Sequence, residues 1–137
     1  MNSLQPLLLG MCLLLCLGCG PRIEYPKDPD ALPFVQCKVE MNGALVPNAI
    51  IELHTEGIKG QNIVGMYDSE YDCYRFVTAQ GDTKKAGVPE GEYVVTVKLA
   101  SKGNLQIPAK YKNPSTSGLT IEVVEGDNFL EPISLSN

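Results

Sequence analysis

The sequence predicts an all-β domain, an antiparallel β-sandwich of seven short strands over residues 34–137. Three observations predict it. From Phe34 onward apolar and polar residues alternate with period two; Gly, Pro, Asn and Asp punctuate the chain between the alternating runs; and no stretch carries a helical period with capping residues. Successive side chains of a pleated strand point to opposite faces, so period two is the pattern a half-buried sheet requires.

The strands follow in order. In residues 34–41, Val35, Cys37, Val39 and Met41 share one face. Asn42-Gly43, a strong hairpin dipeptide, ends the run. Residues 49–55 form the second strand, and residues 62–67 and 73–79 form two more around a polar turn. Residues 92–100 are the clearest strand, launched by the turn Pro89-Glu90-Gly91-Glu92. Tyr93, Val95 and Val97 take one face of it, and Val94, Thr96 and Lys98 the other. Residues 119–124 and 129–135 close the domain, with Gly126-Asp127-Asn128 as the turn between them. About a hundred residues suffice for a core without a covalent staple.

Ahead of the domain lie two segments of different character. Residues 7–17 are apolar without a break, and a helix of that length spans only about 16 Å against the ~30 Å of a hydrocarbon core. The length suits the apolar region of a signal peptide rather than a membrane span. Residues 20–33 contain Pro21, Pro26, Pro29 and Pro33, which hold the chain extended and deny it helix and sheet. The reading is a tether.

Leu17-Gly18-Cys19-Gly20, directly after the leucine run, resembles the lipobox of bacterial lipoproteins. In that family the cysteine thiol becomes a diacylglyceryl thioether and the leader is cut before it. The resemblance implies a cleaved signal peptide over residues 1–18, lipidated Cys19 as the first mature residue, a tether over residues 19–33, and membrane attachment at the cell envelope. Two acyl chains anchor stably where one does not. Cys16, three before Cys19, and a leader without Lys or Arg depart from the family pattern.

The domain itself resembles the carboxypeptidase-regulatory-like (transthyretin-like) domains of small lipoproteins from planctomycete-type bacteria. The resemblance rests on Val39-Glu40-Met41-Asn42-Gly43 with Val46-Pro47-Asn48-Ala49, on Gly65-Met66-Tyr67-Asp68-Ser69 with Arg75-Phe76, and on Val88-Pro89-Glu90-Gly91-Glu92-Tyr93. It continues through Ile107-Pro108-Ala109-Lys110-Tyr111, Pro114-Ser115-Thr116-Ser117-Gly118 and Val124-Glu125-Gly126-Asp127-Asn128. It implies a transthyretin-like sandwich and no particular activity. Asp72-Cys73-Tyr74 stands where the family has an Asp-Gly turn.

Composition and motifs narrow the chemistry. The net charge of −5 falls wholly outside the leader, and an acidic domain repels phosphate backbones, so nucleic acid is not an expected partner. His54, the lone histidine, lies mid-strand with no nucleophile motif nearby, and one histidine cannot build the iron or hydrolase centres of enzymes with this fold. No Cys or His pair has zinc spacing, and Asp68, Glu70 and Asp72 read as a solvated turn rather than a calcium loop. The expectation is a protein with no catalytic machinery and no cofactor.

Three candidate sites remain. Cys37 and Cys73 form a disulfide or stay as two thiols; export favours oxidation, but the bond needs Cα atoms within ~7 Å. The long loop after residue 100 docks through Ile107 and Tyr111 and offers a contact surface that includes Lys110. Tyr67, Tyr71 and Tyr74 cluster near one turn and form the aromatic surface a glycan would need. The expected role is binding or scaffolding at the envelope toward an unknown protein or glycan, with a carbohydrate-binding module as the alternative.

Overall fold

The computed structural model describes residues 28–100 and 104–137. The leader, Cys19 and most of the tether lie outside the described residues. The described chain is all-β, its one helical element a 3-10 turn at Ala109–Lys112. The strands are β1 (Phe34–Cys37), β2 (Val39–Met41), β3 (Ala44–Leu45), β4 (Ala49–His54), β5 (Gln61–Asp68) and β6 (Cys73–Gln80). After them come β7 (Thr83–Ala86), β8 (Gly91–Leu99), β9 (Leu119–Val123), β10 (Asp127–Phe129) and β11 (Ile133–Leu135).

They build two sheets. The larger has the order β10-β1-β6-β5-β4-β8-β9, with β7 paired beside β6, and the smaller has the order β11-β2-β3. One edge of β6 is shared: β1 pairs with its first half through Gln36 and Arg75, and β7 with its second half from Val77 to Gln80. β7 is exposed throughout and carries Lys84 and Lys85, charges that discourage pairing with another chain.

The expected run 34–41 is two strands, not one. The chain leaves the large sheet at exposed Lys38 and enters the small one. The expected final strand also divides, and Asp127 and Asn128, expected in a turn, lie in β10. The two divided segments run side by side and parallel. β10 follows β1 from Phe34 opposite Asp127, and β11 follows β2 from Val39 opposite Ile133. The offset grows by one residue between the two registers, and this extra residue falls where Pro132, with no N–H to give, needs no partner. The fully antiparallel arrangement is therefore corrected: both sheets hold a parallel pair, because one segment crosses both with its partner beside it.

The phase survives the crossing. Val35, Cys37, Val39 and Met41 are all buried, as are Ile133 and Leu135 beside them. Ile51, Leu53, Phe76, Tyr93, Val95 and Val97 bring the inner face of the large sheet into the same core. Gly65 sits opposite Phe76, and a Cβ there would lie 3.2 Å from the Phe76 ring and 3.3 Å from Ile51. The missing side chain is what admits the ring.

The last residues of the tether are not free. Pro33 accepts a hydrogen bond from the Val88 N–H at 3.0 Å. Gly87, at φ 101°, approaches so closely that a Cβ would come within 2.6 Å of the Pro33 carbonyl.

Candidate functional site

Outward-facing positions assemble what the inward ones cannot. Across four strands the register places Phe129, Gln36, Arg75 and Met66 in one row, since Gln36 pairs with both Phe129 and Arg75, and Arg75 with Met66. Phe129 is 70% exposed, Met66 62% and Tyr71 54%. The Phe34 and Phe129 rings lie 5.8 Å apart, tilted by 57°. Between Phe34 and Tyr71 stands the Arg75 guanidinium, 6.0 Å from the first ring centroid and 5.0 Å from the second. Asp68 holds it at 3.2 Å. Arg75 Nε is buried without a hydrogen-bond partner among the described residues. A concavity of about 540 Å³ lies against this face, lined in part by Phe34, Met66, Asp68, Arg75 and Val77.

The expected tyrosine trio is corrected by burial. Tyr74 is 1% exposed. Its hydroxyl donates to the Val46 carbonyl at 2.6 Å and accepts from the Ala49 N–H at 2.8 Å, so it joins β6 to the corner before β4. Tyr67 is half-buried, packs 5.2 Å from Tyr74 and donates its hydroxyl to Asp72 at 2.7 Å. That acceptor carboxylate pushes the Tyr67 phenol up to about 12. Tyr71 alone of the three offers an exposed ring. Phe34, Phe129 and Arg75 were the signal available instead, for each sits one residue out of phase with the buried positions.

Cys37 and Cys73 are both buried free thiols. The β1–β6 register sets Cys37 opposite Tyr74 rather than Cys73. Burial, with Cys73 nearby, pushes the Cys37 thiol up to about 12.

In the long loop, Ile107 and Tyr111 are buried and Lys110 is exposed. The Tyr111 hydroxyl accepts from the Ser136 N–H at 3.0 Å and donates to the Ser136 carbonyl at 3.2 Å. These bonds lower its pKa from the ordinary value. The Lys110 ammonium sits 4.8 Å over the Tyr111 ring, so this cation is partly occupied within its own loop.

A second concavity, an open groove of about 1050 Å³, lies over β4, β8 and β9. Glu56, Glu92, Glu122, His54 and Ser115 line it. Glu92 and Glu122 are direct cross-strand neighbours. His54 Nε2 is 2.8 Å from Thr96 Oγ1. Asp68, Glu70 and Asp72 gather elsewhere around their own turn, Asp68 accepting from the Glu70 N–H at 3.0 Å. No group of three or more potential metal ligands converges among the described residues. No helix among them is long and apolar enough to cross a membrane.

No family model and no solved structure matches the chain. Among curated proteins it is similar to hyaluronidase-3 of Sus scrofa, with 31% identity over 93 residues, 60% of this chain and 22% of the relative. The chain thus spans about a fifth of the length of the curated relative it matches. That relative is an enzyme, and the match overturns the expectation of a chain without catalytic machinery.

Proposed function

We propose that this chain is a lipid-anchored β-sandwich of the cell envelope, carboxypeptidase-regulatory-like (transthyretin-like) in kind, that binds a glycan on the outer face of its large sheet. The leucine run followed by Leu17-Gly18-Cys19 supports the anchor, and Cys19 would carry the acyl chains. Two sheets closing on one core support the sandwich. The acidic net charge speaks against a nucleic-acid partner.

One observation carries the ligand class: Arg75 stands between Phe34 and Tyr71, and exposed Phe129 packs beside Phe34 on the same face. A pyranose has an apolar C–H face and a rim of hydroxyls. Exposed rings take the first, and a guanidinium paired with a carboxylate takes the second. The partial likeness to a protein named a hyaluronidase points toward the same ligand class.

Affinity electrophoresis in gels containing hyaluronan or neutral polysaccharides tests this. Retardation by at least one glycan, lost in Phe129→Ala and Tyr71→Ala, supports it; free migration in every gel rejects it.

The match to an enzyme favours a second reading, in which the groove cleaves a glycan. Glycoside hydrolysis uses two carboxylates across one bond, and Glu92 and Glu122, cross-strand neighbours that line the groove, are the candidate pair. Release of reducing ends that disappears in Glu122→Gln would establish it, and no release from any polysaccharide would dismiss it.

A further inference from the structure

β9 and the segment that ends in β11 are the two arms of an open hairpin, closed at one end by the turn after Val123. Among the described residues the first arm is strand-paired with β8 alone. The second is held from its other side, Leu130 N–H donating to Gln36 and Ile133 N–H to Lys38. No strand pairing joins the arms to each other among the described residues.

Side chains stand in for that pairing at both ends. At the closed end the Asn128 carboxamide accepts from the Val124 N–H and donates to its carbonyl. At the open end the Tyr111 hydroxyl does the same for Ser136. Between them lies Ser134. Ile133 turns its backbone to β2, so the alternation of a strand turns the Ser134 N–H and C=O the other way, into the gap. Every second residue of β9 likewise points its backbone away from β8. A groove of about 420 Å³ occupies the gap, lined by half-buried Leu119, Ile121 and Leu130 with Ile133.

We infer that this seam takes up one extended segment of a partner polypeptide by strand addition. Backbone left unpaired on two walls among the described residues calls for a strand, whose own N–H and C=O alternate to both sides, and the apolar lining calls for alternate apolar side chains. A folded second copy could pair along β9 only and would leave Ser134 unmet. The inference concerns a surface separate from the aromatic face and stands without the glycan reading.

The test uses the full chain in detergent and the peptide acetyl-Lys-Val-Thr-Val-Thr-Val-Lys-amide. Hydrogen exchange read by NMR should slow at the Ser134 amide and at alternate β9 amides when the peptide is added. Ser134→Ala should bind as the wild type does, and Ser134→Pro, which removes the N–H that faces the gap, should weaken binding at least tenfold. Should Ser134→Pro fail to fold, the exchange pattern of the wild type decides. Unchanged exchange at millimolar peptide overturns the inference, as does slowing that follows protein concentration without peptide, which would assign the seam to a second copy.

Discussion

Asn128 is bonded to Val124 in both directions: its Oδ1 accepts from the Val124 N–H at 3.0 Å, and its Nδ2 donates to the Val124 carbonyl at 2.9 Å. The same nitrogen reaches Phe34 O at 3.2 Å and Gly126 O at 3.1 Å. One carboxamide, on β10 at one end of the large sheet, thereby joins β1 beside it to the chain leaving β9 at the other end.

Asn128→Ala should destabilise the domain by about 1–3 kcal/mol, through the loss of several hydrogen bonds to part-buried backbone groups. Urea unfolding at constant m-value measures it. A midpoint equal to that of the wild type would mean water replaces the carboxamide freely.

Tyr74→Phe keeps the ring and removes one oxygen. The Ala49 N–H and the Val46 carbonyl then lose their partner inside the core. The expected loss is again about 1–3 kcal/mol, and Tyr74→Ala, which adds a cavity, should cost about 3–5 kcal/mol. Equal stability of the Phe variant would contradict the bridging role.

Tyr67 should ionise near pH 12, about two units above its ordinary 10, because its hydroxyl donates to the Asp72 carboxylate. Its neutral form is favoured in the folded state, so the associated stability is whole below pH 10 and is lost as pH climbs through 12. Ultraviolet difference titration of the wild type against Tyr67→Phe reads the value. Asp72→Asn should bring it down, and an unshifted titration in that variant would remove Asp72 as the cause.

Cys37 and Cys73 should both resist iodoacetamide at pH 8.5 in the native protein and react once guanidinium unfolds it without reductant. Mass spectrometry counts the adducts. Two fewer adducts than expected after unfolding would reveal a bond between them.

Much of the fold was legible because the core obeys period two. Val35, Cys37, Val39 and Met41 keep one phase across two sheets, and Tyr93, Val95 and Val97 keep theirs in β8. The change of sheet at Lys38 was not legible, since alternation reports a face and not which sheet the face belongs to. The parallel partnership of residues 127–135 was hidden for a related reason. Asp127 and Asn128 look like a turn in isolation, and it is the long-range pairing with β1, joined by Asn128's bonds to Val124 and Phe34, that holds them in a strand. The candidate site was half legible. Tyr71 drew notice by type, whereas Phe34, Phe129 and Arg75 are set apart only by their outward phase, and Tyr74 was drawn into the core by two backbone groups that no local pattern announces.

The central claim is that a glycan lies on the face made by Phe34, Tyr71, Arg75 and Phe129. A ¹⁵N–¹H NMR titration with hyaluronan oligosaccharides and with neutral oligosaccharides tests it most directly. The account predicts saturable shifts at those four residues and at Gln36 and Met66 with at least one of the sugars, while buried Val95 and Val97 stay still. Shifts confined to other surfaces, or none with any sugar, would contradict it.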